Sequence, residues 1–205
     1  VKKGWINDNG TWYYTGNDGV MQTGWIEVSG KRYYLENSGK MLTGWTGQNG
    51  KWYYLGSSGD MLKGWINDNG LWSYTGSDGV MQTGWLTEAG SKYYLKGSGA
   101  MATGWRQLDG AWYYFNGDGR MATGMIDAGG IHYYLDPSDG RMVAGRSIEI
   151  NGTVYQAGAD GALSVQSQEN SDSNQNSQDP GNTNTGNNVA GSNTGNTGNN
   201  VQITP

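Results

Sequence analysis

The chain has no cysteine, one histidine, one phenylalanine and three prolines. Without cysteine, it can form neither disulfides, nor a thiolate metal site, nor a thiol nucleophile. A single histidine, His132, excludes a multi-histidine metal centre. Lysine and arginine total 13 against 18 acidic residues, so the basic footprint of nucleic-acid-binding proteins is missing. No apolar run approaches the roughly 18 residues of a membrane-spanning helix. We therefore expect no nucleic-acid partner, no membrane insertion, no metal and no cofactor.

What the sequence has instead is glycine and aromatic residues. Of 205 residues, 37 are glycine, ten are tryptophan and fourteen are tyrosine, while leucine, isoleucine and valine are scarce. An ordinary aliphatic core is therefore not expected to be the main source of stability. The composition predicts a thin, repetitive all-β structure in which tryptophan and tyrosine replace that core. The tyrosines expected in it are Tyr13, Tyr33, Tyr53, Tyr93, Tyr113 and Tyr133.

Internal repetition is the strongest signal. Glycine-tryptophan pairs recur at a fixed spacing of 20 residues, with tryptophan at positions 5, 25, 45, 65, 85 and 105. Tyrosine and methionine keep the same period, and a weaker eighth unit ends near Leu163. Such self-similarity is typical of solenoids, in which each unit buries its apolar face on its neighbour. The sequence therefore predicts about eight tandem units over residues 1–163.

Each unit is interpreted as a β-hairpin followed by a loop. In the first unit, Thr11–Thr15 is rich in β-forming residues and predicts a strand. Residues 16–19 (Gly-Asn-Asp-Gly) are typical of a turn, residues 20–24 are then the return strand, and residues 25–30 are a loop. The two-residue side-chain period places Trp12, Tyr14 and Met21 on the same face.

Residues 164–205 differ sharply in composition. They contain no aromatic residue, no lysine and no arginine, and asparagine, serine, threonine, glutamine and glycine dominate. Such a segment cannot bury enough apolar surface to offset its ordering entropy. We expect a disordered low-complexity tail or linker.

The clustered aromatic rings suggest a ligand. Tryptophan, tyrosine and methionine with few carboxylates beside them suit a quaternary ammonium, which donates no hydrogen bond and is held by the negative faces of rings. A sugar stacked on the rings is also consistent with the composition. No pair of acidic residues has the arrangement of a hydrolase site, so no enzymatic activity is expected.

The motifs match a known family. Gly4-Trp5, residues 9–14 (Asn-Gly-Thr-Trp-Tyr-Tyr), residues 18–21 (Asp-Gly-Val-Met) and Thr23-Gly24-Trp25 closely resemble the choline-binding, or cell-wall-binding, repeats of Gram-positive surface proteins. The resemblance covers about residues 1–163. It implies a left-handed superhelical solenoid of β-hairpins, with aromatic cages between consecutive hairpins that hold the choline of teichoic acids.

Carried over by position, the family pattern implies four complete cages and two degenerate ones. The complete cages are Trp5, Trp12, Tyr34 and Met41; Trp45, Trp52, Tyr74 and Met81; Trp65, Trp72, Tyr94 and Met101; and Trp105, Trp112, Tyr134 and Met142. The degenerate sites are Trp25, Arg32 and Tyr54, and Trp85, Lys92 and Tyr114. A last position, with Met125, His132 and Gln156, is expected to be empty.

The leading hypothesis is a secreted, non-catalytic module that anchors its parent protein at the cell surface. Its partner would be choline-decorated teichoic or lipoteichoic acid. One alternative is a glucan- or other carbohydrate-binding repeat. Another is a structural stalk or adhesin surface that binds a host protein. By analogy with the family, the full-length protein could also carry a wall hydrolase, but these residues contain no sign of one.

Overall fold

The computed structural model describes residues 2–166, which are built from strands and turns. The strands are β1 (Gly4–Asp8), β2 (Thr11–Thr15), β3 (Gly24–Val28), β4 (Lys31–Leu35), β5 (Gly44–Gln48), β6 (Lys51–Leu55), β7 (Gly64–Asp68), β8 (Leu71–Thr75), β9 (Gly84–Glu88), β10 (Ser91–Leu95), β11 (Gly104–Leu108), β12 (Ala111–Phe115), β13 (Gly124–Ala128), β14 (Ile131–Leu135), β15 (Ser147–Ile150), β16 (Thr153–Ala157) and β17 (Leu163–Val165). Consecutive strands pair antiparallel as eight hairpins, hairpin 1 (β1–β2) to hairpin 8 (β15–β16). The expected all-β solenoid of tandem hairpins is confirmed. Residues 2–166 hold no helix long and apolar enough to span a membrane.

The turn that closes each hairpin is not the predicted one. In hairpin 1 it is Asn9-Gly10, and both residues have positive φ, 49° and 87°. A two-residue turn of this kind matches the right-handed twist of the strands, and Asn-Gly is its preferred sequence. The predicted turn at residues 16–19 instead links one hairpin to the next, where the Gly19 N–H donates to the Gly16 carbonyl.

The predicted strand boundaries change accordingly. The segment expected as a loop, residues 25–30, contains most of β3 and the turn of hairpin 2. The expected return strand, residues 20–24, is reduced to one bridge between Met21 and Thr15, followed by the start of β3. The physical reason is that each period contains two turn signals, and only the two-residue turn supports a full five-residue ladder.

The register of a hairpin divides its side chains between two faces. In hairpin 1, Trp5 lies opposite Tyr14, and Asn7 lies opposite Trp12. Because side chains alternate along a strand, Trp5, Trp12 and Tyr14 share one face, called the front face. Residues such as Tyr13 lie on the other, called the back face.

The core is a ladder of back-face residues at the end of the second strand of each hairpin. Its members are buried, from 0% to 8% exposed: Thr15, Leu35, Leu55, Thr75, Leu95, Phe115, Leu135 and Ala157. Burying one leucine contributes about 1.5–3 kcal/mol. The core along the solenoid is thus mostly aliphatic, against the expectation that aromatic residues replace it. Of the tyrosines expected there, Tyr93 and Tyr113 are buried, and the others are less enclosed.

Backbone hydrogen bonds link hairpins along the solenoid. The N–H of Met41 donates to the carbonyl of Trp12 at 2.8 Å, and later methionines repeat the bond with the residue equivalent to Trp12. The Met41 side chain packs on Gly59, whose φ of 82° and missing Cβ leave room for it. Met41 therefore ties together three consecutive units, and Met61, Met81, Met101, Met121 and Met142 do the same.

The eighth unit closes the described structure. Strand β17 pairs with β16, with Leu163 opposite Ala157. The pairing continues to Val165, two residues into the segment predicted as a tail. The remainder of that predicted disordered tail lies outside the described residues.

Candidate functional site

Hairpin 1 forms an aromatic cavity together with the two units that follow it. The cavity has a volume of about 440 Å³ and is lined by Trp5, Trp12, Tyr33, Met41, Ser57 and Ser58. The Trp5 ring meets Trp12 at 6.4 Å and 85°, and meets Tyr33 at 4.8 Å and 66°. These rings form three walls around a space open to solvent. Trp12 is 42% exposed, so part of its ring surface is free for a ligand.

The same arrangement recurs at three later hairpins. Hairpin 4 supplies a cavity of about 330 Å³, lined by Trp65, Trp72, Tyr93, Met101, Gly117 and Asp118. Hairpin 6 supplies one of about 230 Å³, lined by Trp105, Trp112, Tyr133, Met142 and Asp160. Hairpin 3 supplies one of about 460 Å³, lined by Trp45, Trp52, Asp68, Leu71, Ser73, Met81, Gly97, Ser98 and Ala100. The two tryptophans and the methionine predicted for each complete cage are therefore brought together.

In the cavities of hairpins 1, 4 and 6 the tyrosine is one residue earlier than predicted. Tyr33, and not Tyr34, faces Trp5, whereas Tyr34 lies on the front face of hairpin 2 against Trp25 at 5.2 Å. Adjacent residues of a strand point to opposite faces, so only one of two neighbouring tyrosines can face the preceding hairpin. The same correction applies to Tyr74, Tyr94 and Tyr134, which lie opposite Trp65, Trp85 and Met125 of their own hairpins.

Three of the four predicted tyrosines, Tyr34, Tyr74 and Tyr94, pack instead on a tryptophan of their own hairpin. Tyr74 packs on Trp65 at 5.2 Å, and its hydroxyl donates to a Glu88 carboxylate oxygen at 2.9 Å. That hydrogen bond raises the pKa of Tyr74. Tyr74 therefore packs on a tryptophan of its own hairpin and does not line the hairpin 3 cavity.

The hairpin 3 cavity lacks the third ring. The position equivalent to Tyr33 is Ser73, which is buried and lines the cavity. The site predicted as complete from Trp45, Trp52 and Tyr74 therefore has two aromatic walls, and one hydroxyl group replaces the third. Asp68 also lines this cavity, and its carboxylate adds negative charge there.

Turn residues two units downstream complete the cavities, and the sequence reasoning missed them. Ser57 and Ser58 line the first cavity, and Asp118 and Asp160 line those of hairpins 4 and 6. A carboxylate at the lining favours a cationic ligand. These residues recur at nearly constant spacing from the first tryptophan, so the period of 20 contained their position. The period alone does not predict that residues of three units meet at one site.

The two degenerate sites keep the predicted tryptophan and cation but have a different tyrosine. Trp25 faces Tyr53 at 4.8 Å, and Trp85 faces Tyr113 at 5.0 Å. The predicted partners, Tyr54 and Tyr114, instead pack on Trp45 and Trp105 within their own hairpins.

Arg32 occupies the place of the second tryptophan at the first degenerate site. Its guanidinium carbon lies 4.7 Å from the centre of the Trp25 ring, which is a cation–π contact. The position where a ligand cation would stack therefore already holds a cation. Lys92, at the second degenerate site, lines a polar cavity instead.

The last predicted position, with Met125 and His132, has no aromatic pair. His132 Nε2 lies 3.8 Å from an Asp127 carboxylate oxygen, and both side chains are exposed. Gln156 accepts a hydrogen bond from the Ser147 hydroxyl at 2.7 Å. Within residues 2–166, no three His, Cys, Asp or Glu side chains are grouped so as to hold a metal ion.

Comparisons with known proteins agree with this architecture. A family model described as the choline-binding repeat matches residues 2–43, 42–76, 62–103 and 102–147. Two solved proteins of Streptococcus pneumoniae are similar: CbpJ, with 37% identity and a TM-score of 0.71, and CbpF, with 41% identity and a TM-score of 0.70. Both comparisons cover 80% of this chain but only 58% of the other, so the chain spans less than two thirds of either relative.

A third solved structure is an isolated domain. The choline-binding domain of CbpL, from the same organism, is 30% identical with a TM-score of 0.59, and the match covers 80% of this chain and 87% of that domain. CbpF has also been solved in complex with ipratropium. The comparison with curated proteins found no match.

Proposed function

The chain belongs to the choline-binding repeat family, and we propose that it is a non-catalytic module that anchors its parent protein to choline-bearing teichoic or lipoteichoic acid of a Gram-positive cell wall. The observation that carries the proposal is the recurrence of a cavity lined by two tryptophans and a methionine at hairpins 1, 3, 4 and 6. The two tryptophan rings are near-perpendicular at hairpins 1, 4 and 6. The module would act outside the cell, at the cell surface.

The walls of these cavities suit a trimethylammonium group. Such a group is a bulky cation without an N–H donor, so ring faces attract it while a hydrogen-bonding site gains little. Each ring contact contributes about 0.5–2 kcal/mol, depending on desolvation. In the first cavity, Trp5, Trp12 and Tyr33 supply three such faces, and Met41 adds a polarisable wall. The ipratropium complex of CbpF fits this chemistry, because ipratropium is itself a quaternary ammonium compound.

Several weak sites on one rigid scaffold favour a polymeric ligand. Once one choline of a wall polymer is bound, the next choline is held at a high effective concentration near the next cavity. Avidity then exceeds the affinity of a single site by about 100-fold or more. Repetition of the cavity along the solenoid is therefore what an anchor requires.

A carbohydrate is the second candidate, and the hairpin 3 cavity is the observation that favours it. There Ser73, Ser98 and Asp68 stand beside two tryptophans, a combination of ring faces and hydrogen-bonding groups that suits a sugar. The hairpin 1 cavity has fewer hydrogen-bonding groups beside its rings, because only two serines of one turn, Ser57 and Ser58, line it.

Binding to purified walls tests the proposal. The protein is expected to sediment with choline-bearing walls and to be released by free choline, but not by an equal concentration of ethanolamine or dextran. Ethanolamine is a matched control because it keeps the positive charge but lacks the methyl groups. Release by dextran alone would favour the carbohydrate candidate, and no sedimentation would contradict the anchoring proposal.

A further inference from the structure

Lys92 of the second degenerate site lines a cavity of a different kind from the aromatic ones, and neither Trp85 nor Tyr113 nor Tyr114 lines it. It has a volume of about 520 Å³, larger than any of the four aromatic cavities. Its lining is Gly90, Ser91, Lys92, Asn116, Arg120, Met121, Ala122, Thr123, Ile126, Pro137 and Ser138. Lys92 takes the place of the second tryptophan, and Pro137 and Ser138 take the place of the downstream turn. The cavity therefore shares the positions of the second tryptophan, the methionine and the downstream turn with the aromatic cavities, but no aromatic residue lines it.

The charges at this lining are all positive. Lys92 and Arg120 both line the cavity, and no aspartate or glutamate does. The cavities of hairpins 3, 4 and 6 each have one aspartate and no lysine or arginine. Hydroxyl and amide groups from Ser91, Asn116, Thr123 and Ser138 complete the polar lining. This inversion of charge is local, because the chain as a whole has a net charge of −5.

A backbone hydrogen bond joins the segments that carry the two cations, and side-chain contacts position Arg120. The Met121 N–H donates to the Lys92 carbonyl at 2.8 Å, which fixes the two segments that carry the charges. Arg120 Nε donates to the Tyr93 hydroxyl at 3.4 Å, and its Nη1 lies 3.7 Å from an Asp118 carboxylate oxygen. A guanidinium has five N–H donors, so further donors of Arg120 remain for a ligand. Within residues 2–166, Lys92 forms no ion pair.

A third cation lies on the same interface. Arg106 is the register partner of Tyr113, whose ring packs on Trp85 of hairpin 5. The equivalent residues of the other hairpins are uncharged, as Ile6 and Ile26 are. Its Nε is buried and has no hydrogen-bond partner in the described part of the chain. Arg106 therefore adds a third positive charge to hairpin 6, although it does not line the Lys92 cavity.

The cations of the two degenerate sites differ in what they contact. Arg32 lies over the Trp25 ring and so fills its own site. Lys92 leaves its cavity open. No carboxylate lines the Lys92 cavity, although Asp118 pairs with Arg120 beside it. The Lys92 ammonium, which forms no ion pair within residues 2–166, is therefore a donor for an anion.

We propose that the Lys92–Arg120 cavity binds a phosphate group, presented either as a free phosphate or as the phosphodiester of a polymer. Tetrahedral phosphate oxygens accept charge-assisted hydrogen bonds from an ammonium and a guanidinium, together with weaker ones from hydroxyls. The site does not depend on choline binding, so its existence is independent of the anchoring function. If both hold, one solenoid contacts both charges of a phosphocholine-bearing polymer.

Phosphorus NMR of the full chain at low ionic strength tests this. The probes are inorganic phosphate, sn-glycerol 3-phosphate and the diester bis-glycerophosphate, and line broadening gives each dissociation constant. Lys92→Gln is expected to weaken binding about tenfold, because one charge-assisted hydrogen bond is lost. Lys92→Glu is expected to abolish it. Lys51→Gln is the matched control, since it removes the same charge from hairpin 3 and is expected to change binding little.

The outcomes separate the possibilities. Broadening of the free phosphates without the diester would point to a free anion as the ligand, and broadening of the diester would point to the polymer. Equal weakening by Lys92→Gln and Lys51→Gln, or no broadening of any probe, would overturn the proposal. Choline titration of the same variants by tryptophan fluorescence is expected to be unchanged, so failure of one site does not hide the other.

Discussion

The rings of Trp5 and Tyr33 meet edge to face with their centres 4.8 Å apart, although the two residues belong to consecutive hairpins. This contact repeats at Trp25–Tyr53, Trp65–Tyr93, Trp85–Tyr113 and Trp105–Tyr133. It joins the front face of one hairpin to the back face of the next. The contact that stacks the solenoid is therefore also the one that builds the candidate ligand site.

The assignment of Tyr33 leads to a paired test. Tyr33→Leu is expected to weaken choline binding at the hairpin 1 cavity by about 2- to 30-fold, since one ring contributes about 0.5–2 kcal/mol. Tyr34→Leu is the control, because Tyr34 packs on Trp25 and does not line this cavity. Isothermal titration with choline measures both. A larger loss in Tyr34→Leu than in Tyr33→Leu would contradict the site described here.

Much of this arrangement could be predicted from the sequence, but the tyrosine could not. The spacing of 20 predicted the repeats, and the family pattern brought together Trp5, Trp12 and Met41. The two consecutive tyrosines, Tyr33 and Tyr34, hide the two-residue alternation, because both positions are aromatic and both suit a strand. Only the register set by the turn at Ser29 and Gly30 decides which of them faces the neighbouring hairpin.

The turn that closes each hairpin could not be identified from the sequence for a related reason. Each period contains Asn9-Gly10 and also residues 16–19, and both carry turn-forming residues. A local pattern does not say which turn closes a ladder and which one links two hairpins. The aliphatic ladder of Leu35 and Leu55 was missed because it has one residue per unit, too few to stand out in composition.

The missing ring of hairpin 3 predicts a gain of affinity. Ser73→Tyr is expected to place a third ring against Trp45 and tighten choline binding at that cavity by about 2- to 30-fold. Ser73→Ala is the control, since it removes the hydroxyl without adding a ring. Choline titrations followed by tryptophan fluorescence measure the change. Equal affinities for Ser73→Tyr and Ser73→Ala in folded protein would mean that the third ring contributes nothing.

The cation over Trp25 predicts a site that can be restored. Arg32→Trp is expected to add one choline to the stoichiometry, because Trp25, Tyr53 and Met61 already stand in the positions that match a complete cavity. Arg32→Ala removes the competing cation without supplying a wall and is expected to add little. Equilibrium dialysis with labelled choline counts the sites. An unchanged count in folded Arg32→Trp would show that the second tryptophan does not define a site.

The packing of Met41 on Gly59 predicts a loss of stability. Gly59→Ala places a Cβ against the Met41 side chain at a φ of 82°. Gly50→Ala is the control, because Gly50 also has positive φ, 75°, but its added Cβ meets no atom within 4 Å. Both changes cost about 1–2 kcal/mol for the left-handed backbone, and only Gly59→Ala adds the steric cost. Urea denaturation is expected to show the larger destabilisation in Gly59→Ala, and equal midpoints would refute the packing role.

The tryptophan pairs are expected to bind quaternary ammonium ions. Equilibrium dialysis of the unmodified chain with choline and, separately, with ethanolamine tests it most directly. The expected result for choline is saturation at four sites, one for each aromatic cavity, with the two-ring cavity of hairpin 3 the weakest. Ethanolamine is expected to show no saturable binding in the same range. Equal binding of both amines, or no bound choline at all, would show that the tryptophan pairs are not sites for quaternary ammonium ions.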